Sequence, residues 1–326
     1  MIVGGTGSFG NAFLEKALLS SEYSEIVIFS RDEKKQHDMR QKYLDKRINY
    51  VIGDIKDYGS INSAMHGVDL VFHAAALKHV PTGELFPYEV IKTNCEGSRN
   101  VFEASLSQGV KKVVLLSTDK AVAPVNAMGM TKALAEKMSI FYSQISGATL
   151  FNVVRYGNVL ASRGSVVPLF IEKIQHNQDL PITNLEMTRF MLTLDDAVNL
   201  VEFALLNGTQ GKLFVQKAKS FTLQQLVESL TQILERELST YSIGARPGEK
   251  LHETLATSEE LSHSISHENY FEITPPTGDA YGSYYLGHDS VSQDIDFTSY
   301  TAERLTNAEL IELIKSETDI LQFLNR

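Results

Sequence analysis

Five short apolar runs, separated by amphipathic stretches, most restrict what the first half of this chain can fold into: Glu25–Ser30, Ile48–Ile52, Asp69–His73, Lys112–Ser117 and Thr149–Val154. Each is rich in Val, Ile, Leu or Phe. Strands that are apolar throughout, instead of alternating with polar residues, belong in a parallel sheet covered on both faces. The stretches between them, Phe9–Leu19, Glu33–Leu44, Tyr58–Met65, Pro87–Gln108 and Ala127–Ile145, read as helices. This alternation predicts an α/β fold, a Rossmann-like doubly wound parallel sheet. We expect that domain over 1–155. A smaller C-terminal α/β substrate lobe is expected over 156–326, with the chain crossing between lobes.

The opening is unusual. A glycine-rich turn starts at Gly4 and leaves Met1-Ile2-Val3 for a first strand that should be central. Either this strand is short or the natural start lies upstream. Past residue 155 the rhythm changes. Helices are expected at Val167–Gln175, Leu194–Leu206, Thr222–Leu234 and Asn307–Ile314, with short strands near Pro181 and Leu213. The stretch 258–299, with Pro275-Pro276, Gly278, Gly282 and Gly287, reads as mostly loop.

Composition narrows the function. Of 326 residues, 43% are hydrophobic, enough for a sizeable core. Acidic residues outnumber basic ones by 40 to 30, so a general nucleic-acid binder is excluded: the phosphate backbone needs clustered cations. Cys95 is the one cysteine, so no intrachain disulfide can form. No run approaches the ~20 apolar residues of a bilayer span, so no membrane insertion is expected. With no signal peptide visible, the expected compartment is cytoplasmic. The histidines lack metal-ligand spacing, and no metal is expected.

The glycine turn, Gly4-Gly5-Thr6-Gly7-Ser8-Phe9-Gly10, places glycines where a backbone must turn tightly and approach a pyrophosphate at a helix N-terminus. A second strand about twenty residues later supplies the context that makes this a dinucleotide site. That strand ends Phe29-Ser30-Arg31 where an NAD site would usually carry Asp or Glu. Ser30, Arg31 and Lys35 suit a ribose 2′-phosphate, which favours NADP over NAD. Asp54 and Ile55 follow the third strand, where adenine would lie. Ala74, Ala75 and Ala76 follow the fourth and leave room for the cofactor, although plain packing explains them nearly as well. The fifth strand ends Ser117-Thr118-Asp119-Lys120, at the edge where ligands bind in open α/β sheets. Met128 and Lys132 share a helix face four residues apart. Asp119, Lys120 and Lys132 are therefore expected to converge beside the nicotinamide.

The chain resembles the extended short-chain dehydrogenase/reductases that modify nucleotide sugars. Within them it is similar to the inverting UDP-N-acetylglucosamine 4,6-dehydratases of bacterial polysaccharide biosynthesis. The resemblance is carried by GGTGSFG at 4–10, FSRDEKKQ at 29–36, HAAALKHVP at 73–81, KTN at 92–94, STDKA at 117–121, NAMGMTK at 126–132, RYGNVLASRGSVVP at 155–168, TRFMLTLDDAV at 188–198 and RPGEKLHE at 246–253. It implies a tightly bound NADP, recycled within each turnover, with Asn94, Ser117, Tyr156 and Asn158 added to the cofactor site. It implies a UDP-sugar held by residues among Lys78, Asn158, Arg163, Val167, Arg189, Arg246 and Glu249, with His79 and Lys250 near by. A homo-oligomer, dimer or hexamer, paired through the helices near 90–107 and 127–145, is also implied.

One departure matters: Met128 stands where most of the superfamily carries a tyrosine base, and a thioether cannot take a hydroxyl proton. The inverting subgroup shares this methionine. The chemistry the resemblance implies is oxidation at C4, loss of the C5 proton and the C6 hydroxyl, reduction at C6, and reprotonation of C5 from the other face. Lys120 is expected as the base, with a lowered pKa, and Asp119 as the acid, with a raised one. Lys132 would orient the nicotinamide ribose, and Thr118 or Ser117 would hold the O4 proton. Two other readings remain open at the level of sequence: a nucleotide-sugar epimerase or reductase on the same fold, and a non-catalytic NADP-binding sensor.

Overall fold

The computed structural model describes residues 1–160, 165–244, 246–276 and 295–316. The opening residues form β1 (Ile2–Val3), and the five apolar runs form β2 (Ile26–Ser30), β3 (Ile48–Ile52), β4 (Leu70–His73), β5 (Lys112–Leu116) and β6 (Leu150–Arg155). All six are parallel, in the order 3-2-1-4-5-6. This is the expected doubly wound α/β sheet, Rossmann-like. Although β1 is two residues long, it pairs on both sides, with β2 and with β4.

The crossovers are α1 (Ser8–Leu19), α2 (Glu33–Lys42), α3 (Tyr58–Ala64), α4 (Val80–Leu85), α5 (Pro87–Val90), α6 (Gly97–Ser107) and α7 (Ala127–Ile145). A single helix was expected over 87–108. Instead α5 and α6 are joined by a π-helical turn, Ile91–Glu96, that brings Asn94 inward. Buried side chains alternate between the two faces. Val113, Leu115, Phe151 and Val153 pack with Val101, Phe102 and Tyr142, from α6 and α7. Ile2, Val114, Leu116 and Val154 pack with Phe13, Leu14 and Val201 on the other side.

After β6 come α8 (Val166–Gln175), β7 (Leu180–Ile182), β8 (Thr188–Met191), α9 (Leu194–Asn207), β9 (Leu213–Gln216), β10 (Lys219–Thr222), α10 (Leu223–Leu234) and β11 (Thr240–Ser242). They are followed by β12 (Thr254–Ala256), α11 (Ser258–Ser262), β13 (Ser264–Ser266), β14 (Tyr270–Ile273), β15 (Phe297–Thr298) and α12 (Asn307–Ser316). Three of these strands return to the main sheet: β9 lies parallel to β6, and β14 and β13 add antiparallel at the edge. Residues beyond 155 therefore serve both lobes. The small lobe has its own core, in which Val167 and Phe170 of α8, Leu226 and Leu230 of α10 and Leu310 of α12 meet.

The mostly-loop reading of 258–299 needs correction, because α11, β13, β14 and β15 fall inside it. The apolar alternation in Tyr270–Ile273 is short, and its pairing with β9 comes from tertiary packing. Gly278, Gly282 and Gly287 lie outside the described residues. No helix among the described residues is long and apolar enough to cross a membrane.

Candidate active site

β1, β2, β4, β5 and β6 run parallel, so their C-terminal ends share one edge of the sheet, and the glycine turn follows β1 at that edge. Gly4 has φ +82°, and a Cβ there would sit 2.7 Å from the Ala75 backbone nitrogen. A Cβ on Gly10 would collide with the backbone of Gly5, and one on Gly5 would press on Ile28. Substitution at any of the three would displace main chain or a sheet side chain. Helix α1 starts directly after the turn. Its N-cap, Gly7, supplies no side-chain cap, and no acidic residue stands in the first turn. The uncapped amides of Ser8, Phe9 and Gly10 are thus available to a diphosphate, and the cradle fits a nicotinamide dinucleotide.

At the β2 end the structure qualifies the expected 2′-phosphate ligands. Ser30 is buried, shares a 2.8 Å hydrogen bond with Thr6 and accepts from the Asp32 amide, so its hydroxyl braces the turn. Lys35 pairs with Asp32 at 3.0 Å, and Arg31 lies 3.7 Å from Asp54 with its side chain 57% exposed. Gln36, which the sequence reading overlooked, is buried and donates to the carbonyls of Ser30 and Val51, fixing this corner. Ile55 is a core side chain whose carbonyl accepts from Asn100.

Asn94 also differs from expectation. Its amide is spent on the Leu77 backbone, in both directions, and on Thr131. It orders the loop after β4, where Ala74 and Ala75 are half-buried and Ala76 and Lys78 exposed. His79 caps α4.

The other half of the site is built on β5 and β6. The Ser117 hydroxyl donates to Glu136. Glu136 also takes Arg155 at 2.6 Å, and Arg155 continues to Glu260 at 2.9 Å and to the Leu255 carbonyl. Burial works against the Arg155 charge, but Glu136 and Glu260 together hold it. This network clamps α7 and α11 to the sheet. Lys132, one turn before Glu136 on α7, is buried and donates to the Leu116 carbonyl. Desolvation depresses it to about 8, against the pull of Glu136 and Cys95. Met128, one turn earlier again, is buried.

Thr118, Asp119 and Lys120 follow β5, and residues 119–121 make a single 3-10 turn. Asp119 is 1% exposed. Its Oδ1 accepts from the Thr118 hydroxyl at 2.8 Å and from Lys120 Nζ at 3.1 Å, while Oδ2 is buried without a hydrogen-bond partner among the described residues. The Asp119 amide donates to the Tyr156 carbonyl. The Tyr156 ring packs on Phe9, with centroids 4.7 Å apart. The acid–lysine pair and the helix that follows the glycine turn are therefore linked through Tyr156 and Phe9. Burial and the Asp119 charge push the Tyr156 phenol well above its usual range, so it is a proton-bearing group. Asn158 points a buried Oδ1 with no partner among the described residues.

A correction concerns Lys120. Burial works to lower its pKa, as the sequence reading required, but Asp119 and Glu253 outweigh burial and hold it above the ordinary lysine value. Glu253, the last residue of RPGEKLHE, has no role that the sequence alone would assign. It is 3% exposed and 3.3 Å from Lys120 Nζ. Only the docking of β12 against the 119–121 turn reveals it.

The substrate candidates divide. Val167 is 1% exposed and belongs to the small-lobe core, so its side chain does not line the site. Arg189 is buried and committed to the Thr188 and Leu251 carbonyls and to Glu249 at 3.4 Å. It positions Glu249, whose Oε2 is buried and unpartnered among the described residues. Lys250 donates to the Val122 carbonyl at 2.6 Å. Arg246 is exposed and makes no ion pair with a described residue. Its turn is pinned over the N-terminus of α7, where Asn126 donates to the Gly248 carbonyl. Arg163 lies outside the described residues. Among the described residues no cluster of His, Cys, Asp or Glu is arranged to hold a metal.

A family model described as "Polysaccharide biosynthesis protein" matches residues 1–275. A protein of Rickettsia rickettsii (strain Sheila Smith) named UDP-glucose 4-epimerase is 47% identical over 321 residues, covering 96% of this chain and 94% of the relative. The protein of the same name from Rickettsia felis is 46% identical over the same length. The X-ray structure of Pen from Bacillus thuringiensis superposes with a TM-score of 0.87 at 35% identity, covering 97% of each chain. The dTDP-glucose 4,6-dehydratase DesIV of Streptomyces venezuelae, solved with NAD and TYD, superposes with a TM-score of 0.70 at 21% identity, over 77% of this chain and 85% of DesIV, a likeness of fold. By family match and by relatives alike, this chain belongs to the polysaccharide biosynthesis protein family.

Proposed function

We propose that the protein is a nucleotide-sugar 4,6-dehydratase acting on UDP-N-acetylglucosamine, with inversion at C5, and yielding a UDP-4-keto-6-deoxy sugar for surface polysaccharide. The observation that carries this reading is the buried Asp119–Lys120 pair at 3.1 Å, with Asp119 Oδ2 open, beside the dinucleotide crevice. The bound dinucleotide supplies oxidation at C4 and reduction at C6. The chain's own residues handle protons. One proton passed from Lys120 Nζ to Asp119 leaves an amine beside a carboxylic acid. The amine takes the C5 proton and the acid protonates the departing C6 oxygen. Water leaves, and the pair returns to ammonium and carboxylate; the O4 proton is relayed to solvent, and solvent returns one proton to C5 on its other face when C6 is reduced. Thr118, bonded to Asp119, is the hydroxyl suited to the O4 proton now that Ser117 is committed elsewhere. Lys132 would hold the nicotinamide ribose.

NADP is the proposed cofactor, because β2 ends in Ser30 and Arg31 with no carboxylate at that position and the Arg31 guanidinium is largely exposed. Asn158, Arg246 and Glu249 are the proposed contacts to the nucleotide sugar, with Lys78 at the mouth. A homo-oligomer is proposed on the exposed Leu85, Phe86, Tyr88, Met130, Leu134 and Phe141, which line α4, α5 and α7.

A second reading, a 4-epimerase, rests on the name of the Rickettsia relatives. That reaction needs no acid at C6 and leaves the acid role of the Asp119–Lys120 pair unused; loss of the O4 proton is common to both reactions. Incubation with UDP-N-acetylglucosamine and NADP tests the choice. Appearance of a 4-keto product that absorbs in alkali supports dehydration; interconversion of C4 epimers without keto product supports the second reading.

A further inference from the structure

The Lys120 ammonium lies between two buried carboxylates that come from different parts of the fold: Asp119 Oδ1 at 3.1 Å and Glu253 Oε1 at 3.3 Å. Glu253 is not a loose surface partner. Its amide donates to Ser299 Oγ at 2.9 Å, and its carbonyl accepts from the Ser299 amide at 2.7 Å. Ser299 Oγ in turn donates to the Thr188 carbonyl of β8. Its second oxygen, Oε2, is buried with no partner among the described residues, as is Asp119 Oδ2. Two buried carboxylates flank the one ammonium, and a buried carboxylate oxygen left without a partner is costly unless it acts on a neighbour or awaits a ligand.

We propose that Glu253 is a positioning residue that aims the Lys120 amine into the crevice and sets the pH at which Lys120 gives up its proton. The proposal rests on the reading of Lys120 as the base. With both carboxylates charged, Lys120 is held as an ammonium. Proton transfer to Asp119 then begins from a fixed geometry, and the lysine returns to the same place after each turnover. Other charges facing Lys120 are fixed by the fold. Arg189 approaches from β8, and Lys250 from the segment that carries Glu253; both oppose the ammonium, more weakly than the carboxylates support it. Helix α7 meets Lys120 through Gly129, which has no side chain to add a charge. Removing the Glu253 charge thus changes the field at Lys120 while leaving the Asp119 acid in place.

The test is a titration of Lys120 in the cofactor-loaded enzyme. Lysines labelled with 13C at Cε are followed by NMR, and the Lys120 signal is identified by its loss in Lys120→Arg. Glu253→Gln keeps the size of the side chain and removes its charge. We expect the Lys120 midpoint to fall by about one pH unit or more, because an opposite charge at this distance favours the charged form. The alkaline, falling limb of kcat/KM should move down by the same amount, because the pair needs the Lys120 proton to begin each turnover. The plateau of kcat should fall about tenfold, and KM for UDP-N-acetylglucosamine should stay within about twofold. Glu253→Asp keeps the charge one methylene further away; it should fall between the two, and it serves as the variant if Glu253→Gln does not fold. An unmoved midpoint in a folded variant overturns the proposal. The titration needs no turnover, so a wild-type enzyme that makes no keto product would sink the dehydratase reading without deciding the fate of Glu253.

Discussion

The ring of Tyr156, at the end of β6, packs on the ring of Phe9 in the glycine-turn helix, with centroids 4.7 Å apart. The Tyr156 carbonyl accepts the Asp119 amide at 3.0 Å. One residue therefore ties the dinucleotide cradle to the acid–lysine pair. Tyr156→Ala is expected to weaken dinucleotide binding about tenfold, in line with the ~0.5–1.5 kcal/mol of an aromatic pair plus lost burial. Tyr156→Phe keeps the ring and should bind like wild type, since the phenol stays protonated. Calorimetric titration of the cofactor checks both.

Lys120→Ala should abolish elimination while leaving dinucleotide affinity within about twofold, because Lys120 bonds to Asp119 and Glu253 and to no part of the glycine turn. Single-turnover assays with the cofactor-loaded variant measure this. Retained turnover would place the base elsewhere.

Lys132 gives a pH signature in the empty protein. Its folded pKa, about 8, is below the 10.5 of an unperturbed lysine. Between these values the unfolded chain binds a proton that the folded chain does not. Stability from this group therefore rises with pH from about 8 to about 10.5, and below 8 the burial penalty is present in full, on the order of 3 kcal/mol. In Lys132→Met that penalty is gone. The wild-type unfolding free energy minus that of the variant should become more favourable to wild type across this window, as read from urea midpoints at several pH values.

Arg31→Ala is expected to raise the NADP dissociation constant about tenfold and to change that of NAD by less than twofold, since a guanidinium recognises the 2′-phosphate alone. Competition binding with the two dinucleotides distinguishes this from a general loss of affinity.

Much of this site is legible in the sequence, for physical reasons that differ by residue. Gly4 and Gly10 are demanded by main-chain approach, which leaves its mark directly in residue type. β2, β4, β5 and β6 announce themselves through apolar content, because strands buried on both faces tolerate little else. Asp119 and Lys120 adjoin in the chain, so their pairing is visible as a doublet. Glu253 pairs with Lys120 across 133 residues of sequence separation, and nothing local marks it. Arg189 and Val167 misled in a similar way. An arginine suited to phosphate is here spent on holding Glu249, and a valine inside a family motif turns inward to the small-lobe core. The strands β13 and β14 were hidden because their order depends on β9 rather than on their own residues.

The most direct measurement is NMR of the product formed from UDP-N-acetylglucosamine in deuterated water. Our account predicts a 4-keto-6-deoxy sugar with deuterium at C5 and that centre inverted. A product that retains its C6 hydroxyl, or that carries no deuterium at C5, would contradict it.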